Sequence, residues 1–202
     1  IGQGVVNITD NSAYNCSSLT GSTASLGNVT GSAASTINEK SGVQTTETVA
    51  GKVSITYRGM ENPWGNIWKF VYGINFYGNG KMGGGQPFIC SDFTFAESKN
   101  TGNYVGAGFT IANSYGYVSA MGYSTSCDWL FIASETLGNS SIPVGDYIYV
   151  SQNLNGYRIA LLGSAWYLGD AAGSFDWHAD YGVGVRLRAA GGRLVYVPTA
   201  TV

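Results

Sequence analysis

The chain has 202 residues, which is enough for one large domain or for a domain with a small extension. Charged residues make up only 11% of it and the net charge is −2, without the block of Lys and Arg that nucleic-acid binding needs. No apolar run approaches the roughly 20 residues that span a bilayer, so membrane insertion is not expected. A surface so poor in charge must be covered by Ser, Thr, Asn, Gly and Tyr, which favours a virion surface or an extracellular location.

The first 50 residues differ in composition from the rest of the chain. Residues 1–50 are rich in Ser, Thr, Gly and Asn and hold few large apolar side chains. We interpret them as an N-terminal arm of short strands and loops that packs on the main domain or attaches the chain to a larger virion assembly. Within this arm, the pattern of Ala33–Lys40 allows a helix. Residues 51–202 are expected to form the main domain.

The main domain opens with the pattern of a strand and then of a helix. Lys52–Tyr57 alternates in polarity, as a half-buried strand does. Asn62 followed by Pro63 is typical of a helix N-cap with proline at the first helical position, and Gly73 can end that helix. The apolar residues that share its buried face are Ile67, Trp68, Val71 and Tyr72. Ile74–Tyr77 is predicted to be the next strand.

Beyond Met82 the sequence is rich in glycine and aromatic residues and has no helical periodicity of useful length. Segments with strand composition alternate with clusters of Gly, Asn, Ser and Asp that suit turns. The predicted strands are Tyr104–Ile111, Tyr115–Ala120, Trp129–Ala133, Tyr147–Val150, Tyr157–Leu162, Gly182–Arg188 and Leu194–Val197. The predicted fold class is therefore α+β, irregular and loop-rich, with one or two helices and several short antiparallel strands.

The motifs of common enzymes do not occur in this chain. It has no GxSxG, HExxH, P-loop or dinucleotide fingerprint. His178 is the only histidine, and nothing near it in the sequence supplies an activated nucleophile. We therefore expect no enzymatic activity and no cofactor.

No metal site is expected either. A single histidine excludes a multi-histidine site, and Cys16, Cys90 and Cys127 are widely separated and form no CxxC pair. We interpret these cysteines as buried free thiols. Three aspartates between residues 170 and 180 keep calcium open as an alternative, although a dense run of oxygen ligands is missing.

The most distinctive stretch runs from Tyr147 to Tyr181 and is crowded with Tyr, Trp, Asp, His and Asn. An apolar strand, Ile159–Leu162, leads there into a loop punctuated by glycine. Aromatic side chains give contact area at a small entropy cost, and short polar side chains adapt their hydrogen bonds, as in antibody combining sites. We predict that this stretch forms a ligand-binding surface with its Tyr and Asp side chains exposed, while Trp166 and Trp177 are buried.

Two phrases of the sequence carry a family resemblance. The first is ENPWGNIWKF followed by GIN, within Arg58–Asn75. The second is GYRIALLGSAWYLGDAAG at Gly156–Gly173, followed by GVRLR at Gly184–Arg188. Together they resemble the variable proteins of diversity-generating retroelements, a family that includes viral proteins similar in role to phage tropism determinants. The resemblance covers roughly residues 50–190 and implies a C-type lectin fold with a hypervariable ligand-binding surface.

The resemblance also implies which residues vary. In that family, reverse transcription alters adenines of the template, chiefly in the AAY codons of asparagine. Changing the adenines of AAY cannot produce a tryptophan codon, so Trp166 and Trp177 are expected to be the scaffold of the site. The expected variable, ligand-binding residues are Tyr147, Tyr149, Asn153, Asn155, Ser164, Tyr167, Leu168, Asp170, Asp176, His178, Asp180 and Tyr181.

The function implied in this way is recognition of a ligand or receptor, an unknown protein or glycan on a host cell surface, through the hypervariable region. One alternative is a structural virion fibre or decoration protein of the same fold without a variable site. Another is an enzyme related to formylglycine-generating enzymes, which share that fold. Such an enzyme needs a reactive cysteine pair, for which Cys90 and Cys127 are the only candidates, and their surroundings show no such motif.

Overall fold

The computed structural model describes residues 32–38, 43–45, 53–57, 60–81, 83–90, 92, 102–139, 145–165, 167, 168, 171 and 173–192, with side chains from residue 62 onward. Every regular element within these ranges is a β-strand. The strands are β1 (Ser32–Asn38), β2 (Val43–Thr45), β3 (Val53–Tyr57), β4 (Met60–Glu61), β5 (Trp68–Asn79), β6 (Gln86–Cys90), β7 (Tyr104–Gly106), β8 (Gly116–Tyr117), β9 (Ala120–Met121), β10 (Ala133–Glu135), β11 (Tyr147–Tyr149), β12 (Asn155–Leu162), β13 (Trp177–His178) and β14 (Ala190–Gly191).

The predicted α+β class is wrong for the described residues, and so is the C-type lectin fold that the resemblance implied. The segment expected to be a helix ending at Gly73 belongs largely to β5, the longest strand. Asn62 has a φ of 49° and does not cap a helix. The segment combines aromatic and β-branched residues, which fit a pleated strand better than a helix, and it pairs with β6 on one side and β12 on the other. The described part of the possible helix at Ala33–Lys40 is likewise a strand, because it lies within β1 (Ser32–Asn38).

The strands form one large sheet and two smaller ones. The large sheet has the order β7-β6-β5-β12-β13-β11-β8, and β14 adds to it by parallel pairing with β5. Strands β1 to β4 form an antiparallel sheet in the order β2-β1-β3-β4, and β9 pairs with β10. The predicted strand at Gly182–Arg188 is wrong because residues 182–189 form a loop with two turns, and Leu194–Val197 lies outside the described residues.

The pairing of β5 with β12 forms the centre of the large sheet. It is antiparallel and continuous except for one bulge, since Ile159 pairs with Asn75 whereas Ala160 pairs with Val71. Residues 72–74 of β5 have no partner on β12 and form the bulge. Gly73 permits this bulge because its φ of 81° is one that residues with a side chain rarely adopt.

Side chains alternate across the large sheet, so it has two packed faces. One face contributes Phe76, Ile148, Ala160 and Trp177 to the main apolar core. The opposite face contributes Trp68 and Leu161 to a second, smaller cluster, against which Tyr149 and Tyr181 pack. The second face is the one that carries most of the candidate site.

The close approach of Gly78 to the chain before β12 gives a test of this packing. A Cβ at Gly78 would overlap the carbonyl oxygen of Leu154 and lie 2.6 Å from its carbonyl carbon. We expect Gly78→Ala to lower the free energy of unfolding by about 1–3 kcal/mol, because the added methyl group pushes β5 away from the chain at Leu154. The free energy is measured by urea denaturation. Gly182→Ala is the control, since nothing lies within 4 Å of the added Cβ. Equal stability of the two variants would contradict this packing.

Candidate functional site

The alternation of side chains in two short strands determines which residues face the candidate site. Strand β11 runs parallel to β13, with Ile148 beside Trp177 and Tyr149 beside His178. The first pair faces the main core, so the second pair lies on the opposite face of the sheet. Tyr147 shares that face with Tyr149 because it lies two residues away along the strand.

Six side chains on this face form a candidate site that we call the tyrosine surface. They are Tyr117, Tyr147, Tyr149, Tyr167, His178 and Tyr181. Five of the six rings are in unbroken contact. The centroids are 4.9 Å apart between Tyr117 and Tyr147 and 4.6 Å apart between Tyr147 and Tyr149. The row continues through His178, stacked 5.2 Å from Tyr149 and 4.2 Å from Tyr181.

Trp68 supports the tyrosine surface from below. Its side chain is 1% exposed, and its ring meets Tyr149 and His178 edge-on at 5.7 Å and 5.4 Å. Its indole is hydrogen-bonded to the phenol of Tyr167, which joins the sixth ring to the other five. Its backbone N–H donates to the carbonyl of Ala189 at 2.7 Å, so this support is itself fixed to the neighbouring segment.

His178 is neutral at neutral pH. It is 9% exposed, and burial lowers its pKa to about 4, while the nearby Asp180 carboxylate acts in the opposite direction. The backbone N–H of Asp180 donates to Nδ1 of His178 at 3.3 Å. The imidazole proton therefore resides on Nε2, which makes that nitrogen a hydrogen-bond donor.

The phenols of Tyr147, Tyr149 and Tyr167 are neutral too. Burial raises the pKa of Tyr149, and the charge of Asp176 adds to that effect. Burial is also the main reason why the pKa values of Tyr147 and Tyr167 are raised. Each of these hydroxyls can donate one hydrogen bond and accept others. The tyrosine surface thus offers neutral donors, acceptors and ring faces.

Two carboxyl groups anchor the start of β11 next to this surface. Asp176 is 0% exposed, and its two oxygens accept the backbone N–H groups of Tyr147 and Gly173, each at 2.7 Å. Asp146 accepts the backbone N–H of Phe175 at 3.3 Å. A Cβ at Gly173 would overlap Oδ1 of Asp146 and lie 3.0 Å from Oδ1 of Asp176, so only glycine fits between these groups. Burial raises the pKa of Asp176 well above its usual value, and the charge of Asp146 raises it further.

The structure brings together only part of the predicted site. Tyr147, Tyr149, Tyr167, His178 and Tyr181 converge on the tyrosine surface. Beside them, Asp180 accepts a hydrogen bond from the hydroxyl of Ser151, and Leu168 packs partly buried against the second apolar cluster.

Three of the predicted surface residues are buried instead of exposed. Asp176 and Ser164 are 0% exposed, and His178 is 9% exposed. The prediction that Asp176 is exposed is wrong. Its carboxyl group is buried because it accepts hydrogen bonds from the backbone N–H groups of Tyr147 and Gly173. Trp177 is buried against Phe76, and its indole N–H donates to the carbonyl of Phe131. Trp166 and Asp170 lie outside the described residues.

Asn153 and Asn155 lie far from the tyrosine surface. Asn155 begins β12, while Leu161 near the end of that strand pairs with His178. Six residues of extended chain separate the two positions by about 20 Å. Asn153 is bound instead to Asn113, whose side-chain oxygen accepts its backbone N–H at 2.8 Å. These asparagines cannot contact a small ligand held on the tyrosine surface.

Two residues of the site have no signal in the sequence that assigns them to it. The pattern around Trp68 predicts a helix, and its contribution to the site follows only from its place at the start of β5. Tyr117 was placed on a strand, but its pairing with Tyr147 is not visible in the sequence. The alternation of Tyr147, Ile148 and Tyr149 was the one local signal for the row.

The described residues contain no group of three or more His, Cys, Asp or Glu side chains that could hold a metal ion. Cys90 and Cys127 are free cysteines, while Cys16 lies outside the described residues. Cys90 donates to the Asp92 carboxylate at 3.4 Å.

No family model, curated protein or solved structure matches this chain. The case for a function therefore depends on the residues and their geometry. Across the residues that the structure describes, no helix is long and apolar enough to cross a lipid bilayer.

The burial of His178 predicts a pH dependence of stability. Between pH 6.5, its ordinary pKa, and about 4, the unfolded chain binds a proton that the folded chain does not. The free energy of unfolding therefore falls as the pH falls through this window, by up to about 3 kcal/mol at about 1.4 kcal/mol per pH unit. We expect His178→Gln to remove this contribution, measured as the difference between the stability–pH curves of wild type and variant. Parallel curves would show that the imidazole has the same pKa in the folded and the unfolded chain, which would contradict its burial as a neutral group.

Proposed function

We propose that this chain is a non-enzymatic ligand-binding protein and that its ligand docks on the tyrosine surface. The observation that carries the proposal is the row of five rings in contact, joined to Tyr167 through the buried Trp68. Tyrosine gives a large contact area and a hydroxyl while losing little conformational freedom on binding. Tyrosines also dominate the binding energy of many protein interfaces.

Preorganisation supports this proposal. Three of the five rings, those of Tyr147, Tyr149 and His178, lie on β11 and β13, which are interior strands with a partner on each side. Trp68 and the carboxyl group of Asp176 fix the rings and the backbone beneath them. Side chains held in place before binding lose less entropy when a ligand arrives, so more of the contact energy remains as affinity.

The neutrality of the surface indicates how a ligand is recognised. Near neutral pH, His178 and the phenols with raised pKa values carry no charge. Recognition then depends on hydrogen bonds and on contact with ring faces. We expect the part of the affinity that comes from these neutral groups to change little with salt concentration, because salt screens interactions between charges.

A protein or glycan on a host cell surface remains our proposed ligand, and diversification by a retroelement remains our proposed origin of the surface. Burial narrows the set of residues that such a system could exchange. Tyr147 and Tyr167 are accessible and lie outside the main core. Ser164, Asp176 and His178 are buried, so we now assign them to the support of the surface and not to its variable part.

A pair of alanine substitutions tests the binding role. We expect Tyr147→Ala with Tyr167→Ala to weaken binding to the glycans or intact bacterial cells that wild type binds. Loss of one strong tyrosine contact costs about 2 kcal/mol, so the affinity should fall by at least about 30-fold. Binding is measured with labelled protein on a glycan array and on a panel of bacterial cells, and the melting temperature is measured in parallel.

The control for this experiment is Tyr72→Ala. Tyr72 is 74% exposed in the bulge of β5 and does not belong to the tyrosine surface, so binding should persist. Unchanged binding by the double variant would contradict the proposal, as would the absence of any binding by wild type. A large fall in melting temperature would show that the two tyrosines are structural.

The DNA around the gene distinguishes the diversified binder from a structural virion fibre or decoration protein. Diversification requires a neighbouring reverse transcriptase and a near-copy of the coding segment. We expect mismatches between the two copies to fall at the codons of Tyr147, Tyr167 and Tyr181, and not at those of Asp176 and Trp177. The absence of the near-copy would favour the structural protein.

A further inference from the structure

A second group of aromatic side chains is exposed on the other side of the large sheet. We call it the aromatic patch, and its members are Tyr123, Trp129, Phe131 and Phe175. Their exposed fractions are 70%, 54%, 55% and 40%. The backbone carbonyl of Phe131 accepts the indole N–H of Trp177, which faces the main core. The patch therefore lies on the side of the main core, away from the face of the tyrosine surface.

The members of the aromatic patch come from three segments that meet there. Met121 pairs with Ala133, and the backbone N–H of Gly122 donates to the carbonyl of Ile132. Tyr123 follows Gly122 and Phe131 precedes Ile132, so both residues lie at this end of the short ladder. The rings of Phe131 and Phe175 are 6.0 Å apart, and Trp129 lies two residues before Phe131. Exposed aromatic groups of this kind mark interaction surfaces in soluble proteins.

The described charged residues that are bonded to members of the aromatic patch or adjacent to them in the sequence are acidic. Asp128 precedes Trp129 and is exposed, Glu135 is exposed at the end of β10, and Asp146 binds the backbone of Phe175. The sequence has no Lys or Arg between Lys99 and Arg158. An apolar surface with an acidic rim suits a partner that presents arginine among apolar side chains. A guanidinium group can lie on the aromatic rings and meet a carboxylate at the same time.

One segment of this chain has exposed arginine beside an exposed apolar side chain. Three of the described Lys and Arg side chains are exposed, namely Lys81, Arg186 and Arg188. Two of the three lie in the loop of residues 182–188, together with Val183, which is 61% exposed. No other described segment combines exposed arginine with an exposed aliphatic side chain.

We propose that the aromatic patch of one molecule binds the loop of residues 182–188 of a second copy. The two partners in this contact are different surfaces, so the contact is heterologous and each molecule has one free patch and one free loop. Repetition of the contact joins further copies into an open chain or a closed ring. The inference does not depend on the ligand proposed for the tyrosine surface, although the loop begins directly after Tyr181 and the charge of Arg188 acts on Tyr167.

Two variants, each lacking one half of the contact, test the proposal. Asp128→Asn with Phe131→Ser damages the aromatic patch, and Arg186→Glu damages the loop. Both sites are exposed, and circular dichroism and melting temperature check that the variants fold. In sedimentation runs over a range of concentrations, wild type should show a mass that rises with concentration, and each variant should associate at least about tenfold more weakly.

Mixing the two variants distinguishes this contact from other modes of association. The Arg186→Glu molecule keeps its patch and the patch variant keeps its loop, so an equimolar mixture should form a species of two chains and nothing larger. Lys81→Glu is the control, because Lys81 is an exposed base outside the loop, and it should associate like wild type.

Any of three results would overturn the proposal. The first is a wild type that stays monomeric, which would mean that the patch has another partner. The second is association that neither variant weakens. The third is a mixture of variants that stays monomeric or grows beyond two chains.

Discussion

The burial of one indole ring under the second face of the large sheet organises the candidate site. Trp68 contacts Tyr149 and His178 edge-on and is hydrogen-bonded to Tyr167, so it positions three side chains that are far apart in the sequence. Leaving the buried indole N–H without a hydrogen-bond partner would cost about 1–3 kcal/mol. This cost favours conformations in which the phenol of Tyr167 stays bonded to the indole. The indole thereby couples the packing of β5 and β12 to the arrangement of the tyrosine surface.

Local patterns in the sequence predicted some of this arrangement, and the rest depends on pairing between distant segments. The composition of Tyr147–Val150 correctly predicted a strand, and within it Tyr147 and Tyr149 lie on the face opposite the buried Ile148. The segment around Trp68 satisfies a helical spacing equally well, and its strand conformation is decided by β12, which lies far later in the chain. Such a partner cannot be read from a short window of residues.

The burial of polar side chains could not be predicted from the sequence either, because it also depends on contacts with distant segments. Asp176 resembles a solvated aspartate in the sequence, but the fold directs two backbone N–H groups at its carboxyl group. His178 is neutral because aromatic rings enclose it, among them Trp68 and Tyr149, which lie outside its own segment. Both residues show that a polar residue type does not establish exposure, because a buried polar group is stable once its hydrogen bonds are made.

The location of Tyr147, Tyr149 and His178 on interior strands limits how this surface could change during evolution. Inserting or deleting one residue in β11 or β13 would shift the ladder and turn every following side chain to the opposite face. Ile148 would then leave the main core and a tyrosine would enter it. Loops at the surface of a protein can adapt by growing or shrinking, whereas these three positions can adapt only by exchanging one side chain for another at constant length.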